Sequence, residues 1–237
     1  MRTAEQCWSA TRCALAVITL CAAPAVAAPE RALSADAHTM VQWVVNSGDN
    51  ERAPFIVIDK RQARLWVFDA NARQLAQTPV LLGLARGDRS VPGIALREMA
   101  DIRRHERTTP AGRFFAEPGR NADGEDIFWI DYDAAVSMHR VRTSNKSDRR
   151  LERLASPSID DNRISYGCIN VPAAFYDTHI RPLFSSRRGV VYLLPEAQAL
   201  DTLFTGAKAS RATPRIEART QKQEGARTSE HAAVRAP

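Results

Sequence analysis

The sequence predicts a mainly β domain, a sandwich or barrel carrying a few short helices. Three observations lead there: short β-prone runs recur along the chain, Gly, Pro and Asp punctuate them, and a last apolar run, residues 189–194, closes the series.

The first 27 residues read as an export signal rather than as part of that domain. Arg2 and Arg12 flank a polar start, an apolar run follows from Cys13 through Ala28, and Ala25-Val26-Ala27 offers the small residues of a cleavage site. Pro24 and the shortness of the run argue against a membrane span, which needs about 20 residues. Leu20 stands where lipid attachment at Cys21 would want a small residue. The expected destination is the periplasm or cell envelope.

A helical linker is expected over residues 28–52. Ser34 caps a helix through Met40, Val41, Val44 and Val45, and Asn46-Ser47-Gly48-Asp49-Asn50 ends it. The β domain is expected over residues 53–196. Phe55-Ile56-Val57-Ile58 and Leu65-Trp66-Val67-Phe68 form a hairpin across the polar Asp59–Arg64 region, and Thr78-Pro79-Val80-Leu81-Leu82 makes a third strand ending at Gly83. Ile127-Phe128-Trp129-Ile130 and Ala135-Val136-Ser137-Met138 add two more, and Gly189–Leu194 is a buried strand closed by Pro195. Two polar excursions, Arg86–Arg107 and Arg140–Arg163, read as long loops. The segment 197–237 ends in a basic tail. From Gly206 on it holds seven Lys/Arg against three Asp/Glu and few large apolar residues, too little to offset the entropy of ordering.

The formal charge of +6 is modest, and nucleic acid is no natural partner for an exported chain. Three of the four cysteines, Cys7, Cys13 and Cys21, leave with the signal, so the processed chain keeps Cys168 alone. It cannot form an internal disulfide, and a lone thiol in an oxidising compartment points to intermolecular pairing or to reactivity.

That thiol lies in Arg163-Ile164-Ser165-Tyr166-Gly167-Cys168-Ile169-Asn170-Val171-Pro172. Gly167 permits a tight turn and close approach of a substrate backbone. Pro172 suits the first turn of a helix with an apolar stripe of Ala173, Phe175, Tyr176 and Ile180. Cys168 is therefore expected just before a helix N-terminus, where the dipole favours the thiolate over a free thiol of pKa about 8.5. A buried, inert cysteine is the competing reading of the same residues.

A nucleophilic thiol needs a base within hydrogen-bond reach. The candidates are His38 on the leading helix, His105 in an arginine-rich loop, His139 at a strand end, His179 far along the following helix and His231 in the tail. His139 is the best placed, because a strand can hold it rigidly.

The segment Ser165-x-Gly167-Cys168-Ile169-Asn170, with His139 upstream, resembles the signature of the L,D-transpeptidase (YkuD-like) catalytic domain. Ile56-Val57-Ile58-Asp59 through Trp66-Val67-Phe68 resembles the opening hairpin of that family, and Pro79–Gly83 its next strand. Thr109-Pro110-Ala111-Gly112-Arg113-Phe114 is similar to its Thr-Pro-x-Gly-x-Phe segment, so the likeness runs from about Pro54 to Glu196. The resemblance implies a β-sandwich-like domain acting on peptidoglycan stem tetrapeptides. Cys168 would attack the L-centre carbonyl of the diamino acid and expel the terminal D-amino acid, with His139 as base. Ser165, Tyr166, Gly167 and Asn170 would border the substrate and the oxyanion, with backbone N–H groups around Tyr166, Gly167 and Cys168 as the oxyanion's donors. No cofactor or metal is implied.

Two departures stand out. Tyr166 occupies a position where the family usually has histidine, and the stretch between His139 and Ser165 is longer than usual. A hydrolase of the same fold and a non-catalytic wall-binding protein are therefore the alternatives to a transferase.

Overall fold

The computed structural model describes residues 32–185 and 188–206; the expected export signal and the basic tail from residue 207 on lie outside the described residues. Ser34 caps helix α1 (Ala35–Ser47) by accepting a hydrogen bond from the Ala37 N–H at 3.0 Å, and Gly48 ends it in the left-handed conformation. Among the described residues ten strands follow: β1 (Phe55–Asp59), β2 (Arg64–Phe68), β3 (Gln74–Pro79), β4 (Leu82–Gly83), β5 (Gly112–Arg120), β6 (Asp126–Asp131), β7 (Val136–Arg140), β8 (Arg163–Ser165), β9 (Ile169–Val171) and β10 (Gly189–Leu194). Eight of them form one sheet in the order β3-β2-β1-β10-β5-β6-β7-β9, and β4 pairs with β8. The fold is mainly β, as expected.

The apolar runs are continuous rather than alternating because the central strands are covered on both faces. Ile56, Ile58, Leu65, Val67, Val191 and Leu193 enter a core cluster shared with Phe128 and Ile130 of β6, Met138 of β7 and Ile169 and Val171 of β9. Strands from β2 to β9 thus curl around one interior. Tyr176, Ile180 and Phe184, from the helical stretch that follows β9, also enter it. The alternate residues Phe55, Val57, Trp66, Phe68, Val190 and Tyr192 pack on the opposite face against Ala37, Met40 and Val44 of α1 and against Leu200. Burying Met40 and Val44 contributes about 1.5–3 kcal/mol each. The helix expected as a linker is therefore packed into the domain, and so is Leu200, beyond the expected boundary at residue 196.

Several details differ from the sequence reading. The third strand begins earlier, at Gln74, and the run expected as one strand divides into β3 and β4. Strand β5 was hidden because Gly-Arg-Phe-Phe-Ala-Glu-Pro-Gly-Arg shows no clean alternation and contains Pro118. The proline lies where, among the described residues, β5 pairs with β6 alone, since the pairing with β10 runs only as far as Ala116. The polar excursions are not structureless. Three short 3₁₀ turns occupy residues 94–106, and helix α2 (Arg150–Ala155) lies within the second. Leu154 anchors α2 in a small cluster with Leu81 and Val141, against which Ile164 packs.

Candidate active site

Strands β7 and β9 run parallel with Met138 opposite Ile169 and His139 opposite Asn170. Side chains alternate across a strand, so Met138 and Ile169 point into the core while His139 and Asn170 share the other face. The same alternation puts Ser137 on the face of His139. Cys168, two residues before Asn170, comes to lie against Ser137, with Sγ 3.6 Å from the Ser137 Oγ and 3.6 Å from the Ala135 carbonyl oxygen. Ser137, His139, Ser165, Tyr166, Cys168 and Asn170 all line one cavity of about 350 Å³.

The turn before Cys168 is braced from three directions. Gly167 has φ +136°, a conformation that strains any side chain, and a Cβ there would press on the Thr108 carbonyl oxygen at 3.0 Å. The Thr109 hydroxyl donates to the Gly167 carbonyl at 2.7 Å and accepts the Gly83 N–H at 2.8 Å. The Ser165 hydroxyl accepts the Gly167 N–H at 3.1 Å and donates to the Cys168 carbonyl at 2.6 Å. Beneath this, the buried Lys60 ammonium donates to the Thr109 carbonyl (2.9 Å), the Gly87 carbonyl (2.5 Å) and Asp88 (2.9 Å). Burial lowers the Lys60 pKa against the opposing pull of Asp88 and Glu196.

Three expectations change. Cys168 does not abut a helix N-terminus: β9 intervenes, because the β-branched Ile169 and Val171 pair with β7, and the helical stretch starts only after Pro172. A helix dipole therefore gives the thiol no direct help. His139 lies inside β7 rather than at the end of a strand closing at Met138. The Gly167 N–H is committed to Ser165, which leaves the Tyr166 and Cys168 N–H groups as the turn's remaining candidate oxyanion donors.

Burial raises the Cys168 pKa, but the nearby His139 imidazole, together with the Ser137 backbone and hydroxyl, outweighs it and holds the thiol below its ordinary range. His139 Nδ1 lies 2.7 Å from the Arg140 carbonyl, so Nδ1 carries the proton and donates it there. Nε2 then keeps its lone pair and faces the Asn170 Nδ2 at 3.2 Å. The Asn170 amide is engaged at both ends, since its Oδ1 accepts from Arg150 at 2.6 Å. It therefore bears on His139 rather than standing free for an oxyanion.

Tyr166 borders the cavity with its ring under the Arg107 guanidinium, 3.7 Å from centroid to Cζ. The other described histidines stay apart from this group. His38 and His105 are exposed, His179 packs on the Phe175 ring, and His231 lies outside the described residues. Sequence reasoning missed Ser137, which the two-residue period from His139 could have revealed, and Arg150, for which a loop of uncertain structure gave no signal.

A β scaffold presenting a perturbed thiol, an imidazole whose Nε2 carries its lone pair and a braced glycine turn at one cavity has the parts that thiol-dependent acyl transfer uses. Among solved structures, the chain is similar to Mycobacterium tuberculosis L,D-transpeptidase 1, at 15% identity over 60% of this chain and 61% of that one, with TM-score 0.34. It is also similar to the catalytic domain of the E. faecium L,D-transpeptidase, at 18% identity over 60% of this chain and 98% of that one, with TM-score 0.34. A third likeness is to the helical cell shape determining protein Pgp2 from Campylobacter jejuni, at 13% identity over 75% of this chain and 63% of that one, with TM-score 0.41. The match spans about three fifths of the tuberculosis and Campylobacter chains. No family model and no curated protein matches the sequence. With every one of these TM-scores below 0.5, the functional reading rests on the residues of the site and on the sequence resemblance.

Among the described residues, no cluster of three or more His, Cys, Asp or Glu side chains could hold a metal ion, and no helix is long and apolar enough to cross a membrane.

Proposed function

We propose that this chain is an exported, cysteine-dependent L,D-transpeptidase acting on peptidoglycan stem peptides. The observation that carries the reading is the convergence of Ser137 and His139 of β7, Asn170 of β9 and Cys168 of the turn before it on one cavity, with the thiol pKa lowered there. His139 Nε2 takes the Cys168 proton, and the thiolate attacks the L-centre carbonyl of the stem's diamino acid. The resulting oxyanion is held by N–H groups of the turn. Its collapse breaks the bond to the terminal D-amino acid, whose amine leaves with the proton from His139. An acceptor amine, deprotonated by the same imidazole, attacks the thioester, forms the new amide and restores the thiol.

One further observation favours transfer over hydrolysis. A second cavity of about 310 Å³ adjoins the first and shares His139, Ile127, Arg142 and Ser144 with it. A base flanked by two cavities can serve a donor on one side and an acceptor on the other. The discriminating experiment is incubation of the purified protein with a defined tetrapeptide muropeptide, with and without an added amine acceptor, read by mass spectrometry. An amine-dependent cross-linked product supports the transferase. A tripeptide product regardless of amine makes the chain a carboxypeptidase, and no product with retained wall binding makes it a non-catalytic binder.

A further inference from the structure

We propose that Trp129 and Tyr132 form a sugar-binding platform beside the nucleophile, which takes a pyranose ring of the glycan strand that carries the stem peptide. The proposal rests on the reading of the chain as acting on peptidoglycan stems, and extends the site to a part of the substrate that Cys168 does not touch. The two rings stack with centroids 5.1 Å apart and planes 26° from parallel. Alternation along a strand would put residues three apart on opposite faces. A bulge between Trp129 and Asp131 absorbs one residue and brings Tyr132 over Trp129. The indole also lies against β5, where a Cβ on Gly119 would fall 2.5 Å from its Cδ1, so the ring rests on backbone that carries no side chain. Trp129 is half-buried in this way, whereas Tyr132 is 58% exposed. Neither the indole N–H nor the phenol hydroxyl has a hydrogen-bond partner among the described residues. A stacked aromatic pair left in water with two unused polar tips suits a ligand that is apolar on one face and polar at its rim.

The platform adjoins the thiol by two routes. Trp129 stands directly opposite Ser137 across the β6–β7 pair, on the outer face, because Phe128, Ile130 and Met138 fill the core. The Tyr132 carbonyl accepts the Ala135 N–H at 3.1 Å, in the turn that joins the two strands. Ser137 Oγ and the Ala135 carbonyl oxygen each lie 3.6 Å from Cys168 Sγ. In a stem peptide two residues separate the diamino acid from the sugar, about 7 Å of extended chain. That is one to two of the roughly 4.8 Å spacings between strands, so a diamino acid held at Cys168 leaves its sugar within reach of β6. The chemistry selects the sugar over the peptide. The stem's side chains are small or ionised and have nothing to set against an aromatic face. A pyranose ring presents a face of C–H bonds, positive at hydrogen, to the negative face of an aromatic ring, while the hydroxyl and acetamido groups at its rim can pair with the indole N–H and the phenol hydroxyl.

The test compares acylation of Cys168 by a bare stem tetrapeptide and by the same tetrapeptide on its disaccharide. The wild type should favour the disaccharide form through a lower KM. Tyr132→Ala should cut that preference by about twofold to tenfold, and Tyr132→Phe, which keeps the ring, should retain it. A second readout needs no turnover: a peptide-free tetramer of β-1,4-linked N-acetylglucosamine should shift the Trp129 indole N–H resonance of the wild type, and do so more weakly in Tyr132→Ala. Equal KM for the two donors in the wild type would overturn the proposal, as would a preference that survives Tyr132→Ala in full, or a sugar tetramer that leaves the Trp129 resonance unmoved. If neither donor acylates Cys168, the stem-peptide reading is what fails, and titration with the sugar tetramer alone decides on the platform.

Discussion

Replacing Thr109 by valine keeps β-branching and nearly the same volume, and removes one hydroxyl from a fully buried position. That hydroxyl serves two backbone groups at once, accepting from the Gly83 N–H and donating to the Gly167 carbonyl. No rearrangement of nearby backbone can replace it, since β4 already packs so closely that a Cβ on Gly83 would lie 2.4 Å from the Arg107 carbonyl oxygen. Each buried backbone group left without a partner costs about 1–3 kcal/mol, so with two such groups the variant should lose about 2–6 kcal/mol of stability. The Gly167 carbonyl, no longer tethered, lets the Tyr166–Gly167–Cys168 turn drift, and misplacement of a nucleophile by about 1 Å can cost about a hundredfold in rate. Urea unfolding measures the first effect, and the rate of Cys168 acylation under conditions where the variant is fully folded measures the second. A stability change below about 0.5 kcal/mol, the range of an unremarkable surface substitution, would refute the argument that this hydroxyl braces the turn.

Other outcomes follow from the same geometry. Alkylation of Cys168 should rise with pH around a midpoint below the ordinary thiol value of about 8.5, because His139 and Ser137 together outweigh burial; Ser137→Ala should move the midpoint upward, since burial then acts against less opposition. His139→Ala should slow acylation by a factor of about 10² to 10⁴ without a matching loss of substrate binding, and His105→Ala and His179→Ala, both away from the cavity, should not. Tyr166→Phe should retain most activity, because the ring rather than the hydroxyl meets Arg107, whereas Tyr166→Ala should weaken the donor site; a loss of about a hundredfold in the Phe variant would show the hydroxyl donating to the oxyanion and refute this.

The sequence made the central strands and the reactive stretch legible for different reasons. Continuous apolar runs at 55–58, 65–68 and 189–194 announced strands covered on both faces, and Ser34 and Gly48 bracketed α1 through ordinary capping chemistry. Strand β5 was not legible, because a strand that changes partner midway, from β10 over Gly112–Ala116 to β6 over Glu117–Arg120, need not alternate. The position of Cys168 was misread for a related reason: three residues of β9 are too short to announce a strand, and Pro172 drew attention to the helix beyond. The pairing of His139 with Asn170 is a matter of register between strands about 30 residues apart in sequence, and local pattern carries no such information. Arg150 was out of reach altogether. Its orientation depends on Leu154 finding Leu81 and Val141, a tertiary contact that no periodicity in a six-residue helix can encode.

The most direct measurement of the central claim is intact-protein mass spectrometry after brief exposure of the purified chain to a stem tetrapeptide carrying a terminal D-amino acid. The account requires an adduct equal to the tripeptide acyl group, localised to Cys168 by digestion, with one equivalent of the free D-amino acid released. The adduct should disappear on addition of an amine acceptor as the cross-linked product forms, and Cys168→Ser should give neither adduct nor product while keeping the wild-type fold. Tetrapeptide turnover that persists in Cys168→Ser, or an adduct mapped to any other residue, would contradict it.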